Sequence, residues 1–213
     1  MSLKTDFIEF LLEYGALKFG SFTLKSGRQS PYFFNLGMFN SGKALAKLGE
    51  FYAKTLLESK LDYEILFGPA YKGIPLATTT SVALYQQHQL DVPFAFNRKE
   101  IKDHGDGGQM VGSSLQNKKV VMLDDVITAG TTVRETIHLL KNFSATFSGI
   151  VIAFDREERG ESSLSATQEV VQEYNIPVAS ILKLSDVIHY LSARKEFDEQ
   201  LVAIKAYQEQ YGI

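Results

Sequence analysis

The sequence predicts an α/β fold: a mainly parallel sheet flanked by helices, with an N-terminal hood over one edge. Three observations carry this. Short apolar runs alternate with helix-periodic segments from about residue 64 to residue 182. The run Val120-Val121-Met122-Leu123 is apolar at every position, as a strand buried on both faces must be. Asp124 and Asp125 follow it directly, at the carboxyl end of the strand, where open α/β sheets hold their ligands.

The elements follow in chain order. A helix is expected over about residues 3–14, with Phe7, Phe10, Leu11 and Tyr14 on one face. An extended segment covers about residues 20–36. Ser41 is placed to cap a helix that turns Leu45, Leu48, Tyr52 and Leu56 inward. Strands at 64–68, 92–97, 120–124, 149–154 and 178–182 alternate with helices near 75–88 and 131–142. Ser165 and Gln168 fit a reciprocal cap for a further helix, and the tail reads as helical. The chain is expected to be a single domain over residues 1–213. Its hood covers about 1–40 plus part of the C-terminal region, and its core about 41–185.

Composition narrows the function classes. The net charge is −3, without the basic excess that nucleic-acid binding requires, so no nucleic-acid partner is expected. No apolar stretch is long enough to span a membrane, and Asp6 lies where a signal peptide would need an apolar core. A cytoplasmic location is the expectation. Cysteine is absent, which excludes disulfides and thiolate metal sites. Gly37 to Ala44 nearly spells a nucleotide phosphate loop, but its last position must supply a hydroxyl to Mg²⁺ and Ala44 has none.

Four segments carry candidate chemistry. After Asp124 and Asp125 comes Val126-Ile127-Thr128-Ala129-Gly130-Thr131-Thr132, which opens a helix. Such a loop aims several backbone N–H groups at one phosphate while the carboxylates meet nearby hydroxyls, the parts of a ribose 5-phosphate site. The second segment, Phe67 to Pro75, joins a strand to a helix and sets Tyr71 and Lys72 at the same sheet edge, with Gly68 and Gly73 permitting close approach to a ligand. The third, Asn97 to Gly108, holds Arg98, Lys99, Lys102 and His104 before a glycine-rich end, a composition suited to a mobile loop closing over an anion. The fourth, Leu24 to Asn35, offers Lys25 as a cation and Phe33 and Phe34 as ring faces for a flat heterocycle. Arg156 follows the strand ending at Phe154 and is suited to bidentate binding of a carboxylate or imide.

The run from Val120 to Thr132 resembles the phosphoribosyl pyrophosphate (PRPP) motif of type I phosphoribosyltransferases. Arg98-Lys99-Glu100, Lys102-Asp103-His104-Gly105 and Gly107-Gly108 resemble the catalytic loop of the orotate phosphoribosyltransferase family, with Ile101 and Asp106 where Ala and Glu are more usual. The resemblance implies the type I phosphoribosyltransferase fold and transfer of a 5-phosphoribosyl group from PRPP to orotate in pyrimidine biosynthesis. It implies PRPP contacts from Lys25, Tyr71, Lys72, Arg98, Lys99, Lys102, His104, Asp124, Asp125 and Val126 to Thr132. It implies orotate contacts from Lys25, Phe33, Phe34, Thr128 and Arg156, with Lys102, Asp124 and Asp125 catalytic. Mg²⁺ is the expected cofactor, held by substrate and water rather than directly by protein. A homodimer is expected, each catalytic loop reaching the partner's site. On sequence alone two other readings stay open: transfer to another base, and a non-catalytic regulator that binds PRPP or RNA.

Overall fold

The computed structural model describes residues 2–24, 27–102, 108–160 and 162–213, the side chains of Ile101 and Lys102 excepted. The chain begins with α1 (Leu3–Glu13), the strands β1 (Leu17–Thr23) and β2 (Gln29–Phe34), and α2 (Gly42–Ser59). β3 (Ile65–Gly68), α3 (Gly73–His88), β4 (Phe94–Lys102), β5 (Gly108–Gly112) and β6 (Lys119–Asp124) follow. Then come α4 (Thr131–Lys141), β7 (Thr146–Asp155), α5 (Ala166–Tyr174), β8 (Val178–Lys183), α6 (Leu184–Ser192) and α7 (Asp198–Tyr211).

Local signals set the helix starts. The Ser2 hydroxyl accepts from Thr5 N–H, and that of Ser41 from Ala44 N–H. Ser165 and Gln168 form the full reciprocal cap. Gly37–Ala44 therefore serves as a helix entry.

The main sheet has the order β5-β4-β3-β6-β7-β8. All its pairs are parallel except β4–β5. Alternate residues of the central strands feed two cores. Leu66, Val121, Leu123, Val151 and Ala153 pack beneath α1, α2 and α3; Ile65, Phe67, Val120, Met122, Ile150 and Ile152 pack beneath α4 and α5. Burial on both faces is the physical reason these strands read as unbroken apolar runs. From β3 the chain first adds β4 on one side and later β6 on the other. The crevice outside the carboxyl ends of β3 and β6 is therefore a topological switch point.

Two expectations change. The extended segment near 20–36 is an antiparallel hairpin, with Leu17 opposite Phe34 and Thr23 opposite Gln29. The segment expected as a loop at 97–108 is instead largely strand: β4 runs through Lys102, which pairs with Gly108, and β5 returns along it. Backbone pairing at a sheet edge tolerates charged side chains, so the apolar alternation that announces a strand is missing there. Residues 103–107 lie outside the described residues.

The hairpin lies against the C-terminal helix. Tyr32 meets Tyr207 edge to face at 5.9 Å, and Phe19 meets Phe197 at the same separation. Phe7, Phe10 and Leu11 of α1 join the core that also holds Leu48 and Val121.

Candidate active site

The switch-point crevice is built from the ends of β3, β6 and β7. Asp124 ends β6, and both it and Asp125 are more than nine-tenths buried. The turn is held from three sides. Asp124 Oδ1 accepts from Asp125 N–H at 2.9 Å, and Asp125 Oδ1 from Val126 N–H at 3.0 Å. The Asp125 carbonyl accepts from Ala153 and Phe154 N–H of β7 at 3.0 and 3.2 Å. From α2, the fully buried Tyr52 donates its hydroxyl to the Asp124 carbonyl at 2.7 Å.

Lys72 Nζ reaches Asp125 Oδ2 at 2.5 Å from the loop after β3. Among the described residues no cation forms such a pair with Asp124. Burial, and then the neighbouring Asp125 charge, push its carboxyl up to about 7. The pair thus holds one carboxylate paired with an ammonium and one acid poised near neutrality, both facing the crevice.

The loop after the pair splits by side chain. Ile127 is buried beneath α4, and Val126 packs on the other core, so any ligand contact they make falls to their backbones. Thr128, Ala129 and Thr131 are exposed. Gly130 has φ of 66° and begins α4 with no side-chain cap, leaving first-turn N–H groups available to an anion.

Arg134, which the sequence analysis did not single out, donates from Nη2 to the Ala129 carbonyl at 2.8 Å and lies 3.3 Å from Thr131 Oγ1. It fastens the loop from below and adds a cation beside it. Its signal was its place in the helix's first turn, from which an arginine folds back onto the preceding loop.

On the other flank, the Ala70–Tyr71 peptide is cis and Ala70 N–H donates to Asn97 Oδ1 at 2.9 Å, tying the loop to β4. Tyr71 is exposed, and Lys99 Nζ stands 5.3 Å from its ring centre. The glycines of this loop are required by protein packing. A Cβ on Gly73 would stand 2.9 Å from the Leu123 carbonyl, and one on Gly68 would strike the Gly73 carbonyl.

The structure therefore gathers Tyr71, Lys72, Lys99, Asp124, Asp125 and the 126–132 loop along one edge. Arg98 lies on β4 beside Lys99, half-buried. Lys25 and His104 lie outside the described residues, as does the Lys102 side chain. Phe34 turns its ring onto Phe154 at 5.1 Å, which leaves the half-exposed Phe33 ring and the Phe34 backbone for a base. The two residues face opposite ways because successive strand side chains alternate. Arg156 lies just past the end of β7 and is gripped by Glu158. Among the described residues, no group of three or more His, Asp or Glu is placed to hold a metal ion.

Replacing Tyr52 by Phe removes one buried donor and leaves the Asp124 carbonyl without it. Stability is expected to fall by about 1–2 kcal/mol, read as a lower urea midpoint at unchanged slope.

The fold and this crevice are those of a phosphoribosyltransferase: residues 35–179 match the phosphoribosyl transferase domain family. Orotate phosphoribosyltransferases from Alteromonas mediterranea and Escherichia coli O139:H28 are each 57% identical to the chain. The first match spans 100% of this chain and 99% of that protein, the second 98% and 97%. The crystal structure of the Francisella tularensis orotate phosphoribosyltransferase superposes with a TM-score of 0.90 at 44% identity, over 98% of this chain and 100% of that one. The chain belongs to the orotate phosphoribosyltransferase family.

Proposed function

We propose that the chain transfers the 5-phosphoribosyl group of PRPP to orotate, giving orotidine 5′-monophosphate and pyrophosphate, a step of pyrimidine biosynthesis. The observation that carries this reading beyond family membership is the joint placement, at one switch point, of a buried carboxylate pair, an uncapped phosphate-type loop and Lys72.

The orotate ring nitrogen attacks the anomeric carbon of PRPP as the bond from that carbon to the pyrophosphate oxygen breaks, and the ring nitrogen's proton leaves with the basic pyrophosphate. Positive charge builds on the sugar and negative charge on the leaving group, so fixed groups of both signs are needed. Asp124 and Asp125 hold the ribose hydroxyls and favour the cationic sugar. Backbone N–H groups of the 126–132 loop grip the 5′-phosphate. Tyr71, Lys72, Arg98, Lys99, Lys102 and His104 gather on the pyrophosphate. Lys25, Phe33, the Phe34 backbone, Thr128 and Arg156 hold the base. No protein nucleophile is needed.

Mg²⁺ is the cofactor of this reading. The carboxylate oxygens of Asp124 and Asp125 suit a hard cation bound through water and substrate oxygens, and when bound it neutralises charge on the pyrophosphate. The β4–β5 hairpin reaches the site of a second copy in a homodimer, and the β1–β2 hairpin with α7 forms the hood. Among the described residues no helix is long and apolar enough to cross a membrane, and a cytoplasmic enzyme fits the reading.

The test is to incubate the protein with PRPP and Mg²⁺ against orotate, uracil and hypoxanthine separately and identify the nucleotide formed. Orotidine 5′-monophosphate from orotate alone is the expected result. Product from another base but not from orotate overturns the substrate assignment.

A further inference from the structure

We infer that Glu158 is the positioning residue for Arg156, orienting its guanidinium to read the base; this rests on the reading of Arg156 as an orotate contact. Glu158 Oε1 accepts from Arg156 Nε at 2.9 Å and stands 2.8 Å from Nη2. The same oxygen accepts from the Tyr32 hydroxyl at 2.8 Å, and Arg156 Nε is 3.2 Å from that hydroxyl. The guanidinium also lies 5.2 Å from the centre of the Tyr32 ring. The guanidinium is thus held at Nε by a carboxylate and a phenol, with a ring face 5.2 Å away, while Nη2 lies in ion-pair range of the same carboxylate oxygen without a hydrogen bond. The end of the guanidinium away from Nε makes no hydrogen bond to a described residue and is left for the substrate.

The backbone that carries Glu158 is itself held. The preceding residue, Glu157, donates its N–H to Asp155 Oδ1 at 3.0 Å and accepts from Ser185 N–H at Oε2 at 2.8 Å. Glu158 forms an isolated bridge with Gly212, and Arg159 N–H donates to the Tyr211 carbonyl at 2.8 Å. Glu158 therefore joins β2 to the segment after β7 through its carboxylate, while its backbone is pinned to the end of α7. A guanidinium whose partner is so anchored keeps its direction before any ligand arrives.

The charge balance fits an anionic base. Arg28 Nη1 approaches Glu158 Oε2 at 3.8 Å, a looser contact than that of Arg156. One carboxylate between two guanidiniums leaves one positive charge uncompensated within the cluster, as a carboxylate-bearing heterocycle requires.

The experiment compares wild type, Glu158→Gln and Tyr32→Phe in steady-state kinetics with orotate and PRPP varied separately, alongside thermal midpoints. Loss of orientation at the base should raise KM for orotate by about tenfold in Glu158→Gln and by a smaller factor in Tyr32→Phe. The turnover number and KM for PRPP should stay within about twofold, because the phosphate loop and carboxylate pair are untouched. An unchanged KM for orotate, whatever the midpoint does, would make Glu158 a latch only and overturn the inference. So would equal rises in KM for both substrates. If Glu158→Gln does not fold, Tyr32→Phe decides by the same ratio. Wild type turning over orotate beside unchanged variants defeats this inference alone; wild type that ignores orotate defeats the functional reading itself.

Discussion

The Asp124→Asn/Asp125→Asn variant is expected to lose at least about a thousandfold in turnover while it still folds, because the proposed mechanism sets both groups against the sugar charge and the change neutralises them at constant volume. Its stability should change in an informative direction. Asp124 is held near 7 in the fold, against about 3.8 for a free carboxyl, by burial and by Asp125. Between those pH values the folded chain keeps a proton that the unfolded chain has released, so the wild type loses stability as pH rises through that window. The single change Asp124→Asn removes this loss. The variant should gain on the wild type from about pH 4 to about pH 7 and stay ahead by at least about 1 kcal/mol at pH 8. Urea midpoints measured at pH 4, 6 and 8 check it, and parallel curves for the two proteins would remove the strain from Asp124. In the proposed reaction the burial strain at Asp124 is relieved by the ligand, through its hydroxyl donors and growing positive charge.

The second large effect is expected from Lys102→Ala. The β4–β5 hairpin carries Lys102 at its outer end, paired with Gly108, while Lys99 further down the strand already stands over Tyr71. A cation brought to the leaving pyrophosphate acts mostly in the transition state. Turnover should therefore fall by about a hundredfold, with a much smaller change in PRPP binding. An unchanged turnover number would take Lys102 out of the mechanism. In the homodimer reading, mixing Lys102→Ala with Asp124→Asn/Asp125→Asn gives hybrids with one intact site, and activity should return on mixing. No return after confirmed subunit exchange would argue against a shared site.

What was legible in the sequence follows from how local each cause is. Val120 to Leu123 announced a central strand because burial on both faces leaves no polar position. Ser41 and Ser165 announced helix starts because a cap acts within three residues. That the carboxylates, Lys72 and the 126–132 loop share one edge was legible because strand ends and loops in this fold class converge there. β5 was not, since an edge strand paired through its backbone can carry polar side chains and glycine. The crowding at Gly73 was hidden because it needs the folded turn, which brings Pro69 and Gly68 against it, and the Leu123 carbonyl of a distant strand. The contacts of Tyr52 with Asp124 and of Tyr32 with Glu158 and Arg156 were hidden for the same reason. Each joins residues that only the finished fold brings together. Phe33 and Phe34 looked equivalent as neighbours, and only strand alternation with the position of Phe154 separates them.

The measurement that bears most directly on the central claim is the loss of orotate absorbance when PRPP and Mg²⁺ are added to the purified protein, with Asp124→Asn/Asp125→Asn run beside it. Rapid loss that requires PRPP and disappears in the double variant is the predicted result. No loss with the wild type, while it still binds PRPP, would contradict the assignment of orotate as the acceptor.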